Sequence, residues 1–252
     1  MKTHAIYYKV ADREASLDFY QKALGLKLLR EENALAILAG HSKAAPYLII
    51  EESPDWMGNR DVRGTKKHAL TGIRAKQEAV VQLYLRQPVG TAYLFKGPSG
   101  YAYEVVSPQG DHYLVHSEDD VTLLEAVDGY TGEAVLDEDF QGLESWAYSG
   151  VRLHTPQPEA SRDFYQKLFG LLAPLTIDCD FAPGEDLLTG SQYIRDIDVI
   201  SFSVPEVMDL AGLYLAVSEL SEDVYLDKKA TFLMLKDPSG VELWLSKSPD
   251  RY

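Results

Sequence analysis

Apolar and polar positions along this 252-residue chain alternate with two different periods. A period of two marks short strands at Ala5 to Val10, Ala34 to Leu38, Tyr47 to Glu51, His68 to Ile73 and Val199 to Val204. Helical spacing puts Leu17, Tyr20 and Leu24 on one face, with Asp12 placed to cap the start and Gly25 to end the helix through a left-handed backbone. Further amphipathic helices are predicted around Gln77 to Leu85 and Val207 to Val217. Two tight turns, Lys96-Gly97-Pro98-Ser99-Gly100 and Lys236-Asp237-Pro238-Ser239-Gly240, each lie between strand-like runs and read as hairpins.

These landmarks occur twice. Residues 14–26 read EASLDFYQKALGL and residues 159–171 read EASRDFYQKLFGL, with ten of thirteen positions identical at an offset of 145. The hairpins, FKGPSGYAYEV at 95–105 and LKDPSGVELWL at 235–245, repeat in the same order at an offset of 140. Two ordered matches predict a duplicated chain: a first domain over 1–116, a connector over 117–146 and a second domain over 147–252. The predicted class is α+β, with a βαβββ module used twice in each domain. The connector carries ten acidic residues and no lysine or arginine, and is expected to be solvated, with a short helix or strand around Val121 to Ala126.

Composition narrows the partners. The net charge of -15 repels phosphate backbones and anionic lipid, so neither nucleic acid nor a membrane surface is expected. The single cysteine, Cys179, forbids an intramolecular disulfide and fits a reducing compartment; a cytoplasmic location is the expectation. No H-E-x-x-H helix or G-x-S-x-G elbow is present.

The segments Val10-Ala11-Asp12, Ser16-Leu17-Asp18-Phe19-Tyr20, Leu24-Gly25-Leu26 and Pro98-Ser99-Gly100 with Glu104 resemble the vicinal-oxygen-chelate superfamily of glyoxalases and extradiol dioxygenases. Ser161, Phe164-Tyr165, Phe169-Gly170-Leu171 and Asp237-Pro238-Ser239-Gly240 repeat the pattern. The two-domain layout, the segment from Glu31 to Ile37 and the acidic joint after Gly110-Asp111-His112 are further similar to the streptococcal CppA proteins, labelled C3-degrading proteinases.

The superfamily resemblance implies paired modules and a divalent metal (Fe, Mn, Ni or Zn) held by His and Glu side chains inside a cupped sheet. Carried over position by position, it offers His68 and Glu104 as metal ligands. Glu51 is a third, and Glu104 or Glu51 would move a proton in catalysis. The position on the first strand falls on Ala5, which cannot ligate; His4 would reach inward only through a bulge. Tyr7, Tyr101 and Tyr103 are expected to line or flank the cup. In the second domain the corresponding positions, Gly150, Val199 and Trp244, hold no ligand, and Glu242 is out of register. His112 and His116 are expected at the domain edge, sharing a face if the segment is extended. Carboxylates beside Cys179 should blunt it as a nucleophile.

Three functions are weighed: a metal-dependent lyase, isomerase or dioxygenase acting on a small molecule with vicinal oxygens; a metal-free protein binding a small molecule or, if CppA-like, a host protein; and proteolysis, which the CppA likeness implies and which no motif in the sequence supports. A monomer and a homodimer are equally compatible with the sequence.

Overall fold

The computed structural model describes residues 1–42, 44–133, 135–170, 175–221 and 223–248. Leu171, which ends the second motif copy, lies outside the described residues. The first module is β1 (Lys2–Val10), α1 (Arg13–Lys22), β2 (Lys27–Glu32), β3 (Leu35–Ala39) and β4 (Tyr47–Glu52). After β5 (Arg60–Asp61), the second is β6 (His68–Arg74), α2 (Gln77–Leu85), β7 (Ala92–Lys96), β8 (Tyr101–Val106) and β9 (His112–His116). The joint carries β10 (Glu125–Val127). The third module is β11 (Ala147–Thr155), α3 (Pro158–Phe169) and β12 (Thr176–Phe181). After β13 (Ile194–Arg195), the fourth is β14 (Ile197–Ser203), α4 (Leu210–Val217), β15 (Val224–Leu226), β16 (Phe232–Lys236) and β17 (Glu242–Ser246). No helix among the described residues is long and apolar enough to cross a membrane.

Local chemistry sets the boundaries. Asp12 accepts the backbone N–H of Ala15 at 2.9 Å and starts α1, and Gly25 takes a φ of 63°. The fourth helix begins at Leu210, three residues later than the pattern predicts, because Pro205 precedes it and Asp209 caps it by accepting the N–H of Gly212. The third module contributes only two described strands where four modules of equal strand number were expected; the chain after β12 runs through Pro183, Gly184 and Gly190.

In three modules the opening strand pairs in parallel with the last strand: β1 with β4, β6 with β9, β14 with β17. This leaves the other edge of each opening strand unsatisfied, and an open edge must find a partner. The partner comes from the other half: β1 pairs antiparallel with β14, and β6 with β11. The result is an eight-stranded sheet, β15-β16-β17-β14-β1-β4-β3-β2, and a seven-stranded sheet, β10-β7-β8-β9-β6-β11-β12. Each sheet is thus shared between the two sequence halves.

One face of each sheet enters a common core. Ile6, Tyr8 and Val10 of β1 are buried there with Leu48 and Ile50 of β4, Tyr103, Val115, Val151, Leu153, Phe202 and Leu243. The opposite face of each sheet is left open to carry side chains outside this core. Ion pairs also cross the halves: Arg60 grips Asp186 through two bonds of 2.5 and 2.6 Å, and buried Arg195 reaches Asp61 at 2.7 Å and Asp55 at 2.6 Å.

The joint is less solvated than its composition suggests. Leu143 is fully buried and Trp146 nearly so, and Leu143 donates its N–H to the Gly25 carbonyl at 2.8 Å. Its strand, β10, extends the edge of β7. Glu118, at its start, completes the first hairpin turn. In the second turn Asp237 accepts the N–H groups of Ser239 (2.9 Å) and Val241 (2.8 Å) and the Tyr165 hydroxyl (2.8 Å). The first turn has Gly97 at that position, and Glu118 fills the space, accepting N–H groups of Ser99 and Gly100 at 2.8 Å each and the Ser99 hydroxyl. A Cβ on Gly97 would lie 2.2 Å from the Glu118 carboxylate. The bonds from Ser99 hold the Glu118 carboxyl down at about 2.

Two outcomes are expected. Residues 1–116 and 147–252 expressed as separate chains should each lack a cooperative urea transition and should regain one on mixing; a cooperative transition in either half alone would contradict the shared sheets. A carboxyl whose folded pKa is depressed contributes stability above its unfolded pKa, near 4.5, and loses it as pH falls through about 2. Glu118→Ala should therefore flatten the acid limb of the stability profile, and Gly97→Asp added to Glu118→Ala should restore urea resistance by replacing the lost acceptor.

Candidate functional site

The three expected ligands occupy three different surfaces. On β6, Leu70 opposes Arg152 and His68 opposes Leu153, so Ala69 is an extra residue in a bulge. The bulge reverses the alternation, and His68 joins Thr71 on the core side. There the His68 ring packs against Tyr8 and Tyr113, with centroids 5.1 and 5.8 Å away. Its Nε2 is 2.8 Å from the Thr71 hydroxyl, which is 2.6 Å from the Tyr8 hydroxyl. Its Nδ1 lies 3.3 Å from Asp111 without hydrogen-bond geometry. Burial pushes the Asp111 carboxyl up, but His68 and the Lys66 ammonium outweigh it and hold it below the usual carboxylate range. His68, Thr71 and Asp111 are sealed from solvent.

Glu104 lies on β8. The hairpin motif placed it on the last strand of its module, but β9 intervenes between β8 and β6. It instead pairs with His112 Nδ1 at 2.6 Å. Glu51 lies on the other sheet, near Lys9 and Asp198; burial pushes its carboxyl up, Lys9 opposes this and Asp198 adds to it. Lys9 itself bridges Asp198 (3.4 Å) and the Ser191 carbonyl (3.0 Å). Among the described residues no group of three or more His, Cys, Asp or Glu side chains is arranged to hold a metal ion. His68, Glu104 and Glu51 therefore do not offer the donor set expected from the resemblance.

The other expected residues scatter. His4 does sit at a bulge, between Thr3 and Ala5, and packs edge-on against Tyr47. Tyr7 packs on Trp244, whose Nε1 donates to Glu242 at 2.9 Å. Val199 belongs to the same eight-stranded sheet, whereas Gly150 opposes Gly72 in the seven-stranded one. Tyr103 is buried and donates its hydroxyl to the Ala23 carbonyl, and Tyr101 packs on Tyr130. Burial and then Asp237 push the Cys179 thiol up to about 12, which leaves it inert.

The structure instead places a cavity of about 410 Å³ on the open face of the seven-stranded sheet. Leu70, Gly72 and Arg74 enter it from β6, Leu114 and His116 from β9, Ser149, Gly150 and Arg152 from β11, and Thr176 and Asp178 from β12. His112 and His116 do share this strand, β9, which lies inside the sheet rather than at its edge. Arg74 pairs with Asp119 and Arg152 with Asp180. His116 is buried; its Nδ1 is 2.8 Å from the Glu118 carbonyl and its Nε2 is 2.7 Å from the Ser149 hydroxyl. Burial pulls the His116 pKa down, and Arg74 adds to that. A larger cleft, about 700 Å³, lies on the helix side between α1, α2 and the joint, among Phe19, Leu83 and Phe140. It lies away from the open faces where the strands converge. Sequence reasoning missed Ser149 and Gly72. Their one signal was a glycine inside a strand, which marks a close approach.

This architecture is a glyoxalase-like fold of two tandem units. It is similar to glyoxalase I from Zea mays (TM-score 0.57, 16% identity, 99% of this chain and 93% of that one). It is also similar to a candidate dioxygenase from Bacillus subtilis (TM-score 0.64, 14% identity, 98% and 84%). At these identities the likeness is one of fold. The family models described as CppA N-terminal and CppA C-terminal match residues 3–127 and 143–245, and the chain belongs to the CppA family. The cppA protein from Streptococcus pneumoniae is similar along its length, with a TM-score of 0.78, 28% identity and coverage of 98% of this chain and 97% of that one. No curated protein matches the sequence.

The sealed His68 network is expected to act in stability. Thr71→Val should cost about 1–3 kcal/mol in urea denaturation, because it strands the Tyr8 hydroxyl and His68 Nε2 in the core.

Proposed function

We propose that this protein binds a small polar molecule, independently of a metal, in the cavity on the open face of the seven-stranded sheet. The observation that carries the reading is the cavity itself, built where the opening strands of two modules, β6 and β11, run side by side. Its volume suits a small ligand. Its walls offer both charge signs, from Arg74 and Arg152 against Asp119, Asp120 and Asp178, which favours a ligand carrying both signs, such as an amino acid or short peptide. The two arginines are half-exposed and paired with exposed aspartates. Such surface pairs are worth little and exchange readily for a ligand's own charged groups. Metal independence is supported by the scatter of His68, Glu104 and Glu51 over three surfaces.

The test is a thermal-shift screen of amino acids, short peptides and hydroxy acids on protein stripped with EDTA. Hits should raise Tm equally with and without EDTA, and should lose their effect in Arg152→Ala and in Thr176→Trp, which fills the cavity. Hits that require added Fe, Mn, Ni or Zn would overturn the metal-free reading. Hits that survive both substitutions would overturn the location.

A further inference from the structure

His68 and His116 each touch a hydroxyl, and their settings differ. His68 and Thr71 are closed off in the core. His116 is also buried, but its partner Ser149 is half-buried and lines the 410 Å³ cavity.

The protonation of His116 follows from its neighbours. The Glu118 carbonyl, 2.8 Å from Nδ1, can only accept, so Nδ1 carries the proton. Nε2 is then a lone pair, and at 2.7 Å it accepts from the Ser149 hydroxyl. Burial keeps the imidazole neutral, with Arg74 reinforcing this and the Glu118 backbone bond opposing it. The contact depends on a backbone detail. The β6–β11 register shifts between Tyr148 and Gly150, so Ser149 is an unpaired extra residue and its side chain lies over Gly72. A Cβ on Gly72 would lie 2.3 Å from the Ser149 hydroxyl oxygen, so only glycine leaves space for it.

We propose that Ser149 and His116 form a nucleophile–base pair that transfers the acyl group of a small ester through an acyl-serine, inside the cavity assigned above to ligand binding. The proposal rests on that assignment for its site. The Ser149 oxygen adds to the ester carbonyl carbon while its proton passes to His116 Nε2. The tetrahedral intermediate breaks the bond to the leaving oxygen, which takes that proton and departs as the alcohol. Water then repeats the sequence on the acyl-serine, releasing the carboxylic acid and restoring both residues. Arg74, two residues along β6 from Gly72 and on the same face, sets a positive charge beside the site where negative charge develops. The Glu118 carbonyl orients the imidazole as a carboxylate does in better-known triads; being neutral, it stabilises the imidazolium less, so turnover should be modest.

The experiment treats the full chain with a fluorophosphonate probe and maps the adduct by mass spectrometry, alongside hydrolysis of p-nitrophenyl acetate. One adduct on Ser149 is expected, with esterase activity that falls about 100-fold in Ser149→Ala. The labelling rate should drop as pH falls through a single ionisation below neutrality, and His116→Gln should abolish that dependence. Labelling elsewhere, activity that persists in Ser149→Ala, or a flat pH profile in the unmutated protein would overturn the proposal; the profile keeps it falsifiable even if His116→Gln fails to fold. Thermal-shift hits in the cavity without any adduct on Ser149 would remove acyl transfer and leave ligand binding standing. An adduct on Ser149 without such hits would do the reverse.

Discussion

The fold depends on one unsatisfied edge in each module. An opening strand that has spent one side on its own module's last strand carries a row of free N–H and C=O groups on the other. Here those edges pair between halves, β1 with β14 and β6 with β11. Every open face, the shared core and the cavity follow from these two seams. The charged contacts Arg60–Asp186 and Arg195–Asp61 also cross the halves, but the backbone pairing sets the register.

The seams also explain where chemistry can occur. A histidine in a strand is available to a ligand only if the alternation leaves it on the open face. One extra residue, Ala69, is enough to turn His68 into the core, where Thr71 pairs with its Nε2 and Tyr8 packs against the ring. A second irregularity, beside Ser149, has the opposite result and delivers a hydroxyl to the cavity. Both bulges lie in the same strand pair, and each fixes the use of the histidine nearest to it.

Much of the fold was legible in the sequence. Asp12 and Gly25 mark the ends of α1, and the two Pro-Ser-Gly turns mark the hairpins, because capping and turn chemistry are local. The duplication and the superfamily likeness follow from the same segments. The site was far less legible. Glu104 sits four residues after its turn as the motif requires, yet β9 displaces it from β6, and strand order is a long-range property. The bulge at Ala69 has no composition of its own. Ser149 and His116 stand 33 residues apart and meet only because β6 and β11 pair across the halves.

Gly72 carries a consequence of its own. It has no side chain to offer a ligand. Yet it is the vacancy that admits the Ser149 hydroxyl, and it belongs to the first half while the hydroxyl belongs to the second. The two halves are therefore not free to drift independently at this point: a methyl group gained in one would displace the Ser149 hydroxyl of the other.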